Sequence, residues 1–190
     1  MDKVISNMRA LCRISEETEK RLRESVIRCD FPKRYRLIEE GGRLNVAYFV
    51  ERGLTRSYWL VDGEEYTTSF SSEGSIVFSM DELYYGLASQ EYVETMEPVA
   101  AYRISLDVLR AMFDENIEMA NWGRIIHQNE YRRLHRSHRD RLTLPAPERY
   151  MEFMRQFPEV GRCANLGYIA SYLGITLSTL SRIRRDNIDF

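Results

Sequence analysis

The chain has 190 residues, of which 44% are hydrophobic and 29% are charged, a composition typical of one or two globular domains. No run approaches the roughly 18 apolar residues of a transmembrane helix, and the first residues lack the apolar region of a signal peptide. The three cysteines stand far apart and form no CxxC pair, so we expect reduced thiols. The sequence therefore predicts a cytoplasmic protein without a membrane partner, a metal or another cofactor.

The formal net charge of −2 is divided unevenly along the chain. Residues 116–190 hold 12 arginines, no lysine and 8 acidic residues, which gives +4, whereas residues 1–115 carry −6. This asymmetry indicates that only the second half of the chain meets a polyanion.

Residues 1–28 are predicted to be helical, with Ser15 opening an SEET capping box before EKRLRESVI. From residue 31 to residue 105 the pattern changes to short β-type runs broken by glycine. We expect strands at 36–38, 47–51, 55–60, 65–70, 92–96 and 99–104. Asp62-Gly63 is the clearest hairpin turn, because this pair favours type I′ geometry. Many short strands at this spacing predict a small antiparallel barrel or jelly roll.

A helix is predicted at 106–113, followed by one long helix of roughly 27 residues from 116 to about 142. Its first half is apolar and its second half very polar, so it cannot bury one stripe along its whole length in a small domain. A partner helix from a second copy would cover the apolar half, and we therefore expect a homodimer. The predicted dimerisation residues are Ile117, Trp122, Ile125 and Ile126. The polar half is either a solvated hinge or a segment near phosphates.

Two prolines, Pro145 and Pro147, end the long helix. A further helix at 148–157 then leads to NLGYIASYLGITLSTLSRIRR, residues 165–185. Apolar residues spaced three and four apart bury one face of the first helix of this stretch, and Gly174 ends that helix. The stretch therefore predicts two short helices joined by a tight turn.

The second of these helices is predicted to present hydroxyls early and arginines late, which suits the major groove of double-stranded DNA. Leu180 and Ile183 face inward, and Thr176 or Ser178 can cap the helix. We predict DNA contacts from Thr176, Ser178, Thr179, Ser181, Arg182, Arg184 and Arg185. Arg182 can make the bidentate contact to guanine O6 and N7, while Arg184 and Arg185 are better placed for phosphates. The simpler alternative is a packing hairpin, since helix–glycine–helix units are common.

Two other functions are open from the residues alone. The first is a cupin-type enzyme, but the histidines His127, His135 and His138 all lie on the long helix. We therefore expect neither a metal-binding cupin nor an enzyme, and interpret these histidines as ordinary helix-surface residues. The second is a protein-interaction module with a vestigial helix–turn–helix, which Leu177 at the exposed start of the recognition helix favours.

The order of N-terminal helix, β-roll, long helix, proline hinge and helix–turn–helix resembles the cyclic-AMP receptor protein (Crp/Fnr) superfamily of bacterial regulators. The residues that carry the resemblance are YFVERG, residues 48–53, followed by Arg56, and IASYLGITLSTLSRIRR, residues 169–185. It covers essentially the whole chain and implies an α+β fold. It implies a cyclic-nucleotide-binding-like sensor domain at 1–115, a long dimerisation helix and hinge at 116–144, and a helix–turn–helix DNA-binding domain at 145–190.

The resemblance also implies a dimeric regulator that reads an inverted-repeat operator and contacts RNA polymerase. In the family, the recognition helix carries an Arg-Glu…Arg pattern, which falls here on Leu177, Ser178 and Arg182. Only the last arginine is kept. Guanine contact by Arg182 therefore agrees with the family pattern, whereas a cytosine contact by the glutamate is lost.

The family's phosphate-binding cassette falls at residues 78–90, with its glutamate near Ser79 and its arginine near Ser89. This segment has no arginine or lysine, and a buried phosphate without a cationic partner is costly. We therefore expect no cyclic-AMP binding in the family's way. A small-molecule effector of this site should be apolar or neutral, with Tyr84, Tyr85 and Tyr92 as further candidate pocket residues.

Overall fold

The computed structural model describes residues 1–186, and within this range the first half is an antiparallel β-roll. Its strands are β1 (Ile27–Phe31), β2 (Arg36–Ile38), β3 (Val46–Arg52), β4 (Thr55–Val61), β5 (Glu64–Ser71), β6 (Ile76–Phe78), β7 (Tyr92–Thr95) and β8 (Val99–Ser105). One four-stranded sheet has the order β1-β8-β3-β6, and the other has the order β2-β7-β4-β5. The predicted α+β fold with a jelly roll is confirmed.

Helices precede and follow the roll. They are α1 (Asp2–Leu11), α2 (Glu16–Glu24), α3 (Leu106–Glu115), α4 (Ile117–Thr143), α5 (Ala146–Gln156), α6 (Pro158–Cys163), α7 (Leu166–Leu173) and α8 (Leu177–Asp186). A π-helical turn, Asp81–Tyr85, connects β6 to β7. The long helix α4 has 27 residues, and Asn116 caps it by accepting hydrogen bonds from the amides of Glu118 and Met119.

The helical prediction for residues 1–28 is wrong at two places. The chain leaves the helix between Leu11 and Glu16, and from Ile27 onward it pairs with β8, with Ile27 opposite Arg103. Strand β1 does alternate apolar and polar residues (IRCDF), although all five are exposed or half-buried. This alternation spans only five positions directly after a helix, and the pairing with β8 that holds the strand in place joins residues distant in sequence. The short strand β6 and the short helix α6 were also missed.

Strand β3 is buried on both faces and therefore lies at the centre of the first half of the chain. Ala47 and Phe49 pack against the flanking helices, in one cluster with residues of α1, α3 and α4. Tyr48 and Val50 point into the roll, where they meet Leu37 and residues of β6, β7 and β8. This packing on both faces positions the first turns of α4 directly against the roll.

The hairpin between β4 and β5 turns at Asp62-Gly63, as predicted. Both residues have positive φ, 53° and 84°, and Val61 pairs with Glu64 across the turn. Positive φ at both central positions is the requirement of a type I′ turn, which Asp-Gly satisfies at low cost. The hairpin thus places β4 and β5 side by side at one edge of their sheet.

Ser15 caps α2, as predicted, because its Oγ accepts from the Thr18 amide at 3.2 Å. The return bond of the predicted capping box comes from a distant residue. Glu118 Oε2, on α4, accepts from the Ser15 amide and the Ser15 hydroxyl, both at 2.8 Å. It also accepts from Thr18 Oγ1 at 2.6 Å, and these bonds hold the pKa of the Glu118 carboxyl below its usual value. The first turn of α4 is therefore tied to the N-terminal helices.

Candidate nucleic-acid interface and sensor region

The helix–turn–helix is built from α7 and α8 with the predicted turn chemistry. Asn165 caps α7 by accepting from the Gly167 amide at 2.8 Å. Gly174 ends α7 in the left-handed conformation with a φ of 65°, and the Ile175 amide donates to the Ala170 carbonyl. Thr176 caps α8, since its Oγ1 accepts from the Thr179 amide at 3.1 Å. The Ser178 hydroxyl lies 2.9 Å from Thr176 Oγ1 and supports this cap.

Helix α8 buries one face and exposes the other. Leu180 and Ile183 are buried in a cluster with residues of α5 and α7. Thr179 is half-buried, and the other predicted DNA contacts are exposed: Thr176, Ser178, Ser181, Arg182, Arg184 and Arg185. The predicted residues of this surface are therefore brought together on one helix face and its cap.

The arginines of α8 differ in their partners. Arg185 Nε lies 3.4 Å from Asp186 Oδ1, an exposed ion pair. In the part of the chain that the structure describes, Arg182 and Arg184 form no ion pair with an acidic side chain. Their guanidinium groups are therefore free to meet a polyanion from outside the chain.

In the cassette region, residues 78–90, an acidic side chain of the protein itself accepts hydrogen bonds from nearby backbone amides. Ser79 is buried, and its Oγ accepts from the Glu82 amide at 3.3 Å. The Glu82 carboxylate turns back to the loop before β3, where it accepts from the amides of Leu44 and Asn45 at 3.2 and 2.7 Å. A carboxylate of the protein itself thus occupies two backbone donors beside the cassette.

The other end of the cassette is also anionic. Ser89 is buried and its hydroxyl donates to the Glu91 carbonyl at 3.0 Å. Burial, together with the nearby Asp81 and Glu130 carboxylates, raises the pKa of the Glu91 carboxyl to about 7. A carboxyl in this environment disfavours a second negative charge. The residues present therefore do not fit a cyclic phosphate.

The three tyrosines proposed as pocket walls do not line one pocket. Tyr84 Oη lies 3.1 Å from Nε2 of His127 on α4. Tyr85 is exposed, and Tyr92 stacks on Tyr58 with ring centroids 5.1 Å apart. Tyr92 lies opposite Tyr58 in the register of β4 and β7, so it belongs to that sheet face and not to the cassette.

A groove of about 580 Å³ lies between Tyr84, Phe113 and the first half of α4. Its walls on α4 include Gly123, His127 and Tyr131. The ring of His127 is fixed by Nδ1, which lies 2.6 Å from the Gly123 carbonyl oxygen. Sequence analysis missed this groove, because nothing local indicated that α3 and the π-helical turn flank α4.

The predicted dimerisation residues do not share one face of α4. Trp122 is 2% exposed, and its ring centroid lies 5.8 Å from that of Phe49, so it belongs to the core of its own chain. Ile126 packs against the same core, Ile125 is half-buried, and Ile117 is 73% exposed. The assignment of Trp122 to a partner-facing seam is therefore wrong. An apolar helix face has the same sequence pattern whether it meets a roll or a second helix.

A different stripe of α4 faces outward. Exposed residues follow one another at intervals of seven: Ile117, Arg124, Tyr131 and His138, with Gln128, His135 and Leu142 in a parallel series. Seven-residue spacing keeps side chains on one side of a supercoiled helix. Its three apolar members, Ile117, Tyr131 and Leu142, are each more than two-thirds exposed within residues 1–186.

Arg133 was not singled out from the sequence, although it joins three elements. Its Nη1 donates to Tyr172 Oη on α7 at 2.9 Å, and its Nη2 donates to Ser69 Oγ on β5 at 3.1 Å. The Glu130 carboxylate raises the pKa of this guanidinium, against the effect of burial. Arg133 therefore connects α4 to the roll and to the helix–turn–helix.

Among residues 1–186, no group of three or more histidine, cysteine, aspartate or glutamate side chains is placed to hold a metal ion. In the same range, no helix is both long and apolar enough to cross a membrane.

No protein-family model and no curated protein sequence matches this chain. Solved structures do match it. The c-di-GMP-responsive global regulator CLP from Xanthomonas campestris aligns with 14% identity and a TM-score of 0.72, over 90% of this chain and 91% of CLP. FixK2 from Bradyrhizobium japonicum aligns with 21% identity and a TM-score of 0.70, over 85% of this chain and 83% of FixK2.

A third protein, from Eubacterium rectale and assigned to the Crp/Fnr family of transcriptional regulators, aligns with 14% identity and a TM-score of 0.72. This alignment covers 91% of the chain and 83% of that protein. The order of roll, long helix and helix–turn–helix is thus shared over almost the whole length. The chain has the fold of the Crp/Fnr regulators.

Proposed function

We propose that this protein is a dimeric, DNA-binding transcription regulator of the Crp/Fnr type, with no catalytic activity. The observation that carries this proposal is the outer face of α8. It presents Ser178, Ser181 and three arginines, and the first acidic residue of the helix is Asp186. Arg182 lies one turn into the helix, where a long side chain reaches base edges in the major groove.

The roles that we propose for the three segments of the chain follow from its resemblance to the Crp/Fnr regulators. Residues 1–115 form the sensor domain, 116–144 the dimerisation helix and hinge, and 145–190 the DNA-binding domain, whose last four residues lie outside the described range. The exposed stripe of α4 supports self-association through Ile117, Tyr131 and Leu142. A two-fold dimer would bind an inverted repeat with half-sites about 34 Å apart, and RNA polymerase would be its partner at the promoter.

The test is selection of bound duplexes from random DNA, followed by binding measurements at several salt concentrations. We expect an inverted repeat to be enriched, and the binding constant to fall steeply with salt because arginines displace counterions from phosphates.

A protein-interaction module with a vestigial helix–turn–helix is the second candidate, favoured by the exposed Leu177 at the start of α8. Binding that is absent at low salt would support this second candidate and refute the regulator.

We further propose that the effector is not cyclic AMP. The Glu82 carboxylate takes the loop amides, and the segment 78–90 offers no cationic side chain, so a phosphate there would have no counter-charge from the cassette itself. Titration calorimetry with cyclic AMP should therefore give no heat of binding at physiological nucleotide concentrations. Sub-micromolar binding would contradict this proposal.

A further inference from the structure

Arg56, on β4, is the largest fully buried side chain in the described chain, with 1% of its surface exposed. A buried guanidinium requires charge partners, since its desolvation is costly. Its Nη2 donates to Glu65 Oε2 at 2.6 Å and to Glu94 Oε1 at 2.7 Å. Both carboxylates lie on the same sheet as Arg56, on β5 and β7, so the cation finds its counter-charges within the roll.

The two faces of the same guanidinium meet aromatic rings from the two halves of the molecule. The guanidinium carbon lies 4.1 Å from the ring centroid of Tyr58 on β4, and 3.6 Å from that of Tyr168 on α7. Tyr58 in turn stacks on Tyr92. The result is a continuous column of rings and one cation that runs from the sheet into the helix–turn–helix.

Hydrogen bonds beside this column join the same two elements. Ser171 Oγ, on α7, accepts from the Thr67 amide at 2.9 Å and donates to the Glu65 carbonyl at 3.0 Å. Helix α7 therefore lies along the outer edge of β5, held at Ser171 and Tyr168. Since α7 and α8 share one buried cluster, the orientation of α7 sets the direction in which α8 faces.

The planar shape of the guanidinium matters for this contact. Its Nε and Nη1 are buried and form no hydrogen bond in the described chain, so the flat faces contribute through the rings. Stacking of a planar cation between two rings fixes both the distance and the tilt of the rings, which a point charge on a flexible stem does not. The contact between the Tyr168 ring and the Arg56 guanidinium therefore depends on the orientation of both groups.

We propose that Arg56 is a positioning residue for DNA recognition. Held between Tyr58 and Tyr168, it fixes the helix–turn–helix on the sensor roll, and so determines which half-site spacing the dimer accepts. This inference rests on the proposed function, because half-site spacing has meaning only for a dimer that binds DNA. The docking of α7 itself is measurable without DNA.

The DNA-independent measurement is amide hydrogen exchange at Thr67, resolved by NMR, because this amide donates to Ser171 across the junction. Tyr168→Leu removes the ring but keeps an apolar side chain, and should accelerate exchange at Thr67 on the order of tenfold. Tyr168→Phe keeps the ring and loses only the hydroxyl that hydrogen-bonds Glu94, so its rate should lie closer to that of the wild type than to that of Tyr168→Leu. Tyr66→Leu, which removes an exposed tyrosine of β5, is the matched control. Unchanged exchange in Tyr168→Leu, or equal acceleration in Tyr66→Leu, would overturn the proposal.

The DNA measurement compares the selected inverted repeat with repeats lengthened or shortened by a base pair or two, and with a single half-site. The affinity of the wild-type protein should differ sharply between repeats with different half-site spacings. Tyr168→Leu and Arg56→Lys should reduce this discrimination on the order of tenfold while binding a single half-site as the wild type does. Arg56→Lys keeps the charge and loses the flat faces. Retained spacing preference in both variants would refute the inference, whereas wild-type protein that binds no DNA would refute the proposed function instead.

Discussion

At the scale of single residues, Glu91 has a carboxyl group whose pKa in the folded protein differs clearly from its value in solution. Burial raises its carboxyl pKa from 4.5 to about 7, and the carboxyl accepts a long hydrogen bond from Thr68 Oγ1 at 3.4 Å. The folded protein therefore holds this proton more tightly than the unfolded chain. By linkage, the stabilising effect of the protonated carboxyl is complete below pH 4.5 and is lost as the pH rises through about 7.

Glu91→Gln should remove this pH dependence, because the amide resembles the protonated carboxyl at every pH. We expect the variant to be more stable than the wild type at pH 8 by about 2 kcal/mol, after allowance for solvent near the site. The two should be nearly equal at pH 4.5. Chemical denaturation at both pH values measures the difference. Glu64→Gln, at an exposed position of β5, is the control, and an equal gain there would contradict the burial argument.

The second residue-scale prediction separates base reading from phosphate contact on α8. Arg182→Ala should cost ~1–3 kcal/mol per half-site and relax the preference for one guanine. Arg185→Ala should weaken binding to all sequences alike and reduce the salt slope by about one. Arg162→Ala removes an exposed arginine of α6 and serves as the control. Equal losses for Arg182→Ala on matched and guanine-substituted sites would leave Arg182 as a phosphate contact.

At the scale of elements, α4 has two faces with different partners. One face packs on the roll through Met119 and Trp122, and the other carries the exposed stripe with Tyr131. Substitution of Ile126 would test the wrong face, because Ile126 packs against the core of its own chain. A charge there would destabilise the protomer before it separated a dimer.

Tyr131→Glu is the sharper test of self-association. Tyr131 is 71% exposed in its own chain, so the substitution leaves the fold intact and places a like-charged pair in a parallel seam. We expect wild-type protein to sediment as a dimer at micromolar concentration and Tyr131→Glu as a monomer. Tyr85→Glu, at an equally exposed position outside α4, should remain dimeric. A monomeric wild type would refute the proposed dimer.

Sequence patterns predicted elements well where the signal was local, and poorly where partners were distant. The caps at Ser15 and Thr176 and the turn at Asp62-Gly63 depend on neighbours within a few residues, and all three are present in the structure. Strand β1 was missed because its apolar–polar alternation spans only five residues directly after a helix, and its partner β8 follows it by about 70 residues. The role of Arg56 was invisible for the same reason, since its ring partner Tyr168 lies in another half of the chain.

At the scale of the whole molecule, the roll and the helix–turn–helix share one apolar cluster. Phe70 of β5 lies 5.9 Å from Phe153, 5.8 Å from Phe157 and 5.5 Å from Tyr172, measured between ring centroids. The two halves are therefore expected to unfold as one cooperative unit rather than in sequence.

Phe70→Ala should lower stability by about 3 kcal/mol and split the calorimetric transition, because the cavity lies at the junction of the two halves. Phe49→Ala is the matched control. Phe49 is equally buried but lies among α1, β3 and α4, so its loss should shift a single transition without splitting it. A single transition in Phe70→Ala would mean that the other junction contacts suffice to couple the two halves.

The bonds from Glu118 to Ser15 and Thr18 have a consequence for biosynthesis. They join residues about 100 positions apart, and the same helices also require Trp122 for their apolar cover. On a ribosome, the first two helices emerge long before α4, and until α4 has left the exit tunnel they lack the part of their apolar cover that Met119 and Trp122 provide. The first half of the chain therefore completes its folding only after α4 is synthesised, and we expect a chain arrested before residue 118 to expose part of this apolar cluster.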